Sequence, residues 1–124
     1  MNKIEESFLR HCLKPSVTCN LPGRLRLAFA KYQLLPKKAL PYLHYVRDVL
    51  LLLPGVTDAQ ANPRIGTVLV SYDPGKTSEQ AILQWVATVV DEGIQLSRED
   101  IWQGADEQTL AALVRERLLL RLPK

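Results

Sequence analysis

The chain has 124 residues, of which 47% are hydrophobic and 23% charged, a balance typical of a globular domain and contrary to that of a disordered segment. Its apolar runs, Val49–Leu53 and Leu118–Leu120 among them, fall far short of the roughly 18 residues that a membrane span needs. The formal net charge of +3 hides an asymmetry: residues 1–54 carry nine Lys/Arg against three Asp/Glu, residues 55–108 three against nine, and residues 109–124 four against one. Such opposed segments either lie side by side in the fold or meet an acidic partner or a second copy. Glu5, Glu6 and Arg10 occupy the place where a signal peptide keeps its apolar core, so a cytoplasmic setting is expected. Two cysteines, Cys12 and Cys19, do not make a disulfide framework, and reduced thiols are the expectation.

In chain order, Ile4, Phe8 and Cys12 fall four apart and suggest a short helix ended by Pro15. Val17, Cys19 and Leu21 then alternate with polar residues. This reads as the front half of a first strand, bent at Pro22-Gly23 and resumed at Arg24. In the second half Leu25, Leu27 and Phe29 point one way, and Arg24, Arg26 and Ala28 the other. After a connector over 31–36, the spacing of Leu40, Leu43, Val46, Leu50 and Leu53 predicts a helix over 37–53, stopped by Pro54-Gly55. Val56 to Ala61 and Thr67 to Tyr72 read as a hairpin about the turn Asn62-Pro63-Arg64-Ile65-Gly66. A second helix opens at Thr77 or Ser78, where Thr77 and Gln80 fit a capping box, and Gly93 is placed as its C-terminal cap. Ile94-Gln95-Leu96 is expected as a short last strand. Residues 98–105 are a polar connector to a third helix over Asp106–Leu122.

The order within 16–97 is therefore strand, helix, strand, strand, helix, strand. This is an α+β class, a βαββαβ split β-α-β sandwich with helices on one face of an antiparallel sheet. Residues 1–15 form an N-terminal extension, 16–97 the domain, and 98–124 a connector and C-terminal amphipathic helix.

Three stretches together carry a resemblance. They are Leu21-Pro22-Gly23-Arg24-Leu25-Arg26-Leu27, the helix exit Leu53-Pro54-Gly55-Val56, and Ala61-Asn62-Pro63 leading to Gly66-Thr67-Val68-Leu69-Val70-Ser71-Tyr72-Asp73-Pro74. They resemble the heavy-metal-associated domain superfamily, in its divergent branch with a proline-glycine-arginine first strand, found alone or at the N-termini of metal-transporting P-type ATPases. The resemblance covers about two thirds of the chain. It implies a ferredoxin-like fold, a cytoplasmic setting and a link to metal-ion homeostasis. Ordinary members bind copper or zinc through a Cys-x-x-Cys after the first strand. Here that loop, residues 30–38, holds no cysteine, histidine or carboxylate, and its lysines would repel a cation. The usual metal site is absent.

His11, Cys12 and Cys19 are the substitutes at hand, but their spacing matches no common structural-zinc pattern. His44 reads as a helix-packing or surface side chain. No glycine-rich phosphate loop, nucleophile elbow or paired histidines support catalysis, and Asp91-Glu92 and Glu99-Asp100 read as solubilising caps. Arg24, Arg26 and Leu69 project from the sheet face opposite the helices, as either a solvated face or a contact surface for an acidic partner. Nucleic acid is not expected, because the outward positions Thr67, Leu69 and Ser71 offer no aromatic stacking platform. The C-terminal helix, through Leu110, Leu113, Arg117 and Arg121, can cover that open face, pair two copies, meet a partner or touch a membrane surface. The resulting expectation is a non-catalytic adaptor module without a cofactor. Its partner would be a metal-transporting P-type ATPase or another metal-handling protein, with homodimerisation through the C-terminal helix. A metal chaperone using Cys12 and Cys19 and a membrane-surface module are the alternatives.

Overall fold

The computed structural model describes residues 4, 7, 10, 13–29, 45–62, 64–98 and 107–123. His11, Cys12, His44, the loop over 30–38, the first part of the helix expected over 37–53, and Glu99-Asp100 lie outside them. The elements with both ends among the described residues are, in order, β1 (Ser16–Leu21), β2 (Arg24–Ala28), α1 (Val46–Leu51), β3 (Val56–Asn62), β4 (Thr67–Tyr72), α2 (Glu79–Arg98) and α3 (Glu107–Leu120). The sheet is antiparallel throughout, in the order β1-β2-β4-β3. The class is α+β.

Two expectations about strands are corrected. The first strand is not one bent strand but two, because Pro22-Gly23 turns the chain back on itself and β1 pairs with β2. Gly23 makes this possible with φ of +81°, a conformation that side-chain-bearing residues avoid. Its carbonyl accepts the Tyr72 N–H at 3.0 Å, locking the turn to the end of β4. The last strand, expected at Ile94-Gln95-Leu96, is helix: α2 runs through to Arg98. Ile94 extends the four-residue series Ile82, Val86, Val90, and at 3% exposure it is buried as helix-face residues are. The edge place beside β2 that a fourth strand would take is filled by β1.

Buried side chains come from one face of the sheet. Leu25 and Leu27 of β2, Val68 and Val70 of β4, and Val56 and Ala59 of β3 meet Leu50, Leu53, Ile82, Trp85, Val86 and Leu118 from the helical layer. The Trp85 indole N–H donates to the Val49 carbonyl at 2.9 Å, so the ring is buried without an orphaned donor and pins α2 to α1. At the start of α2 the hydroxyl of Ser78, not Thr77, accepts the Ala81 N–H at 3.2 Å. The capping box expected at Thr77 and Gln80 is thus replaced by a single N-cap bond one residue on, since Ala81 has no side-chain acceptor to return it. Glu79, the first residue of α2, accepts a hydrogen bond from Asn20 of β1.

Gly93 is inside α2, not at its end, and a Cβ built there meets nothing within 4 Å. Glycine in a helix interior costs about 0.8–1 kcal/mol relative to alanine. Gly93→Ala is therefore expected to stabilise the chain by about 1 kcal/mol, read as a rise in the urea midpoint without a change in slope. A fall in the midpoint would mean that the space above Gly93 is occupied.

Candidate interaction face

Pairing register sets which side chains share the face turned away from the helices. Across β1, β2 and β4, Leu21, Arg24 and Ser71 form one row, and Cys19, Arg26 and Leu69 the next. Cross-strand partners project to the same side, so two arginines stand between Leu21 and Cys19 on one flank and Ser71 and Leu69 on the other. Arg24 and Arg26 are exposed and have no ion-pair partner among the described residues. Leu21 is 55% exposed, and Leu69 is half-buried.

Cys19 departs from expectation. Its alternation with Val17 placed both on one side, but the register shifts between Val17 and Cys19, leaving Thr18 as the extra residue. A bulge of this kind inverts the facing of everything beyond it. Val17 consequently stands opposite Leu27, while Cys19 and Leu21 stand opposite the arginines. Asn20, between them, takes the helix-facing position from which it reaches Glu79.

Asp58 lies at the β3 edge in register with Ser71, where the Arg47 Nε donates to it at 3.1 Å. The Ala59 backbone N–H, and then Arg47, hold its carboxyl below the usual carboxylate range. That acid is matched, so the β1-β2-β4 part of the face is net basic.

The C-terminal helix does not cover this face. α3 packs beside α2 on the helical side and sends Leu118, fully buried, into the core. Leu113 and Arg117 are half-buried, and Leu110 lies in the same helix. Arg121 is held within the chain: it donates to Asp91 at 2.9 Å and to Glu92 at 2.7 Å. Arg10 reaches the same Asp91 at 2.8 Å, as does Gln95. Asp91 and Glu92, read from sequence as solubilising caps, are thus the centre of an ion cluster joining three parts of the chain. Nothing local in the sequence signals that pairing, which spans 29 to 81 residues.

Arg10 first, and Arg121 after it, lower the Asp91 pKa. A carboxyl with a folded pKa below its unfolded value of about 3.9 contributes stability that is present above that value and is lost as pH falls through the folded pKa. Between pH 5 and 2, the wild-type chain is expected to lose more stability than Asp91→Asn in urea titrations. Parallel losses would show that ionisation of Asp91 adds nothing to stability at neutral pH.

An apolar cleft of about 320 Å³ lies among α1, α2 and α3, lined by Val49, Val89 and Val114 together with Asp48 and Arg115. Among the described residues, no three His, Cys, Asp or Glu side chains come together, and no helix is long and apolar enough to cross a membrane. Comparison of the chain with protein-family models, curated proteins and solved structures finds no match.

Proposed function

We propose that the chain is a non-catalytic binding module that acts through protein–protein contacts in metal-ion homeostasis or transport, in a cytoplasmic setting. The observation that carries the binding role is the open sheet face, where Arg24 and Arg26 stand among Leu21, Cys19 and Leu69 with all the described helices on the other side. The metal link rests on the resemblance of the Pro22-Gly23-Arg24 strand, the Pro54-Gly55 helix exit and the Asn62 hairpin to heavy-metal-associated domains. On this reading the run β2-α1-β3-β4-α2 follows the ferredoxin-like order. The edge strand that such a domain takes from its C-terminal end is supplied here by β1. The partner is a metal-transporting P-type ATPase or another metal-handling protein.

Anaerobic Cu(I) titration separates this reading from a metal chaperone, whose ligands would be Cys12 and Cys19. An adaptor takes up no stoichiometric Cu(I). Uptake of one equivalent, abolished by Cys19→Ser, would replace the adaptor reading with the chaperone one.

A further inference from the structure

We infer that the open sheet face takes an acidic amphipathic helix from a partner protein, with two carboxylates on Arg24 and Arg26 and apolar side chains on Leu21 and Leu69. This deepens the binding-module reading and rests on it. An antiparallel sheet can leave one face to water, but that face is then expected to be polar. Here it combines two leucines with two arginines that have no described counter-ion. Among the described residues, the acid in the row of Arg24 is Asp58, and it is occupied by Arg47. Charge complementarity therefore calls for carboxylates that the described residues do not supply, and a partner protein is the source proposed.

Spacing argues for a helix. Arg24 and Arg26, two residues apart on one strand, have Cα atoms roughly 6.5–7 Å apart. Carboxylates at i and i+4 of a helix have Cβ atoms about 5–6 Å apart, a difference that flexible arginine stems absorb, and arginine accepts carboxylates in a bidentate fork. Leu21 lies beside Arg24 on β1 and Leu69 beside Arg26 on β4, each about 4.8 Å away across the sheet. Apolar residues one turn from the carboxylates reach them. An extended segment would instead need the backbone of a sheet edge, whereas packing on a sheet face is what helices do. A nucleic acid would need a stacking platform; Arg24, Arg26, Ala28, Thr67, Leu69 and Ser71 include no aromatic, and Tyr72 packs against the core.

The test uses the full chain and a fluorescein-labelled synthetic helix of about 18 residues, long enough to hold helical structure. It carries Glu at i and i+4 and Leu at i+3 and i+7. One control peptide has Lys for Glu, and another has its Glu residues moved to the opposite face. By fluorescence anisotropy at about 0.1 M salt, the first peptide is expected to bind about tenfold or more tightly than either control. Arg24→Glu with Arg26→Glu is expected to reverse the preference, so that the lysine peptide binds the variant better than it binds the wild type. That gain keeps the result readable even where the variant is less stable. Three outcomes overturn the inference: equal binding of the three peptides, a preference unchanged in the variant, or tighter arginine-dependent binding of oligo(U) RNA or anionic phospholipid vesicles. Copper does not enter this readout. A chain that bound Cu(I) would end the adaptor reading while leaving the peptide result standing.

Discussion

Leu118→Ala is expected to destabilise the chain by about 2–5 kcal/mol, the cost of a truncated leucine in a closed core. Against a total of roughly 5–15 kcal/mol for a domain, that is a large share. The reason is positional. Leu118 is fully buried in the cluster that contains Leu25 and Leu27 of the interior strand β2, with Val114 and Leu122 packed at its margin. Its neighbours Leu119 and Leu120 are 43% and 87% exposed. The same substitution at Leu120 is expected to stay within about 0.5 kcal/mol. Urea denaturation of the two variants side by side decides the matter, because helix propensity changes alike in both and only burial differs. If both midpoints move equally, α3 is an appendage. If only Leu118→Ala moves, α3 is part of the core, and removing it exposes the sheet's buried leucines. A light-scattering comparison with and without α3 would then report unfolding or aggregation in place of the oligomeric role expected for that helix. The Arg121 contacts with Asp91 and Glu92 act in the same direction, by fixing the end of α3 against α2.

What could be read from sequence was what depends on near neighbours. Leu25, Leu27, Val68 and Val70 alternate cleanly, and all four are buried. The same alternation places Arg24, Arg26 and Leu69 together on the other face, so half of the candidate surface was legible. The missing half, Leu21 and Cys19, lies beyond the bulge at Thr18, which inverts facing without any marker in residue type. Pro22-Gly23 was legible as a break but not as a reversal. A two-residue loop with glycine suits a hairpin, yet whether the strands before and after it pair depends on which of them β4 accepts. Ile94 failed for another reason. A three-residue alternation is too short to distinguish from one more turn of a helix, and Ile94 is buried as the next member of the α2 face. The apolar stripe of α3 was visible through Leu118; which surface it covers is a long-range matter that no local pattern encodes.

Gly55→Ala is expected to destabilise the chain, in contrast to the stabilising Gly93→Ala. The substitution is identical, so the opposite signs isolate backbone conformation and space. Gly55 has φ of +98°, and a Cβ there would lie 2.9 Å from Cβ and Cγ2 of Thr77 and 3.0 Å from Cβ of Lys76. A side-chain-bearing residue held in so sparsely populated a region costs about 1–3 kcal/mol before any clash. The peptide cannot swing away to relieve it. The Gly55 carbonyl accepts the Asp73 N–H at 2.7 Å, and the next N–H, of Val56, donates to Leu53 at 3.2 Å. These bonds set the path from α1 into β3 across the turn that follows β4, so strain here is passed to Val56 and the β3-β4 pairing. The loss in urea midpoint should be largest for Gly55→Ala alone. Adding Thr77→Gly removes two of the three close contacts and should recover the steric part, compared with Thr77→Gly by itself, while leaving the φ strain in place. A Gly55→Ala variant as stable as the wild type would show that the Pro54-Gly55 corner yields freely. The glycine of that helix exit would then be a mere stop signal, with no close approach of chain segments behind it.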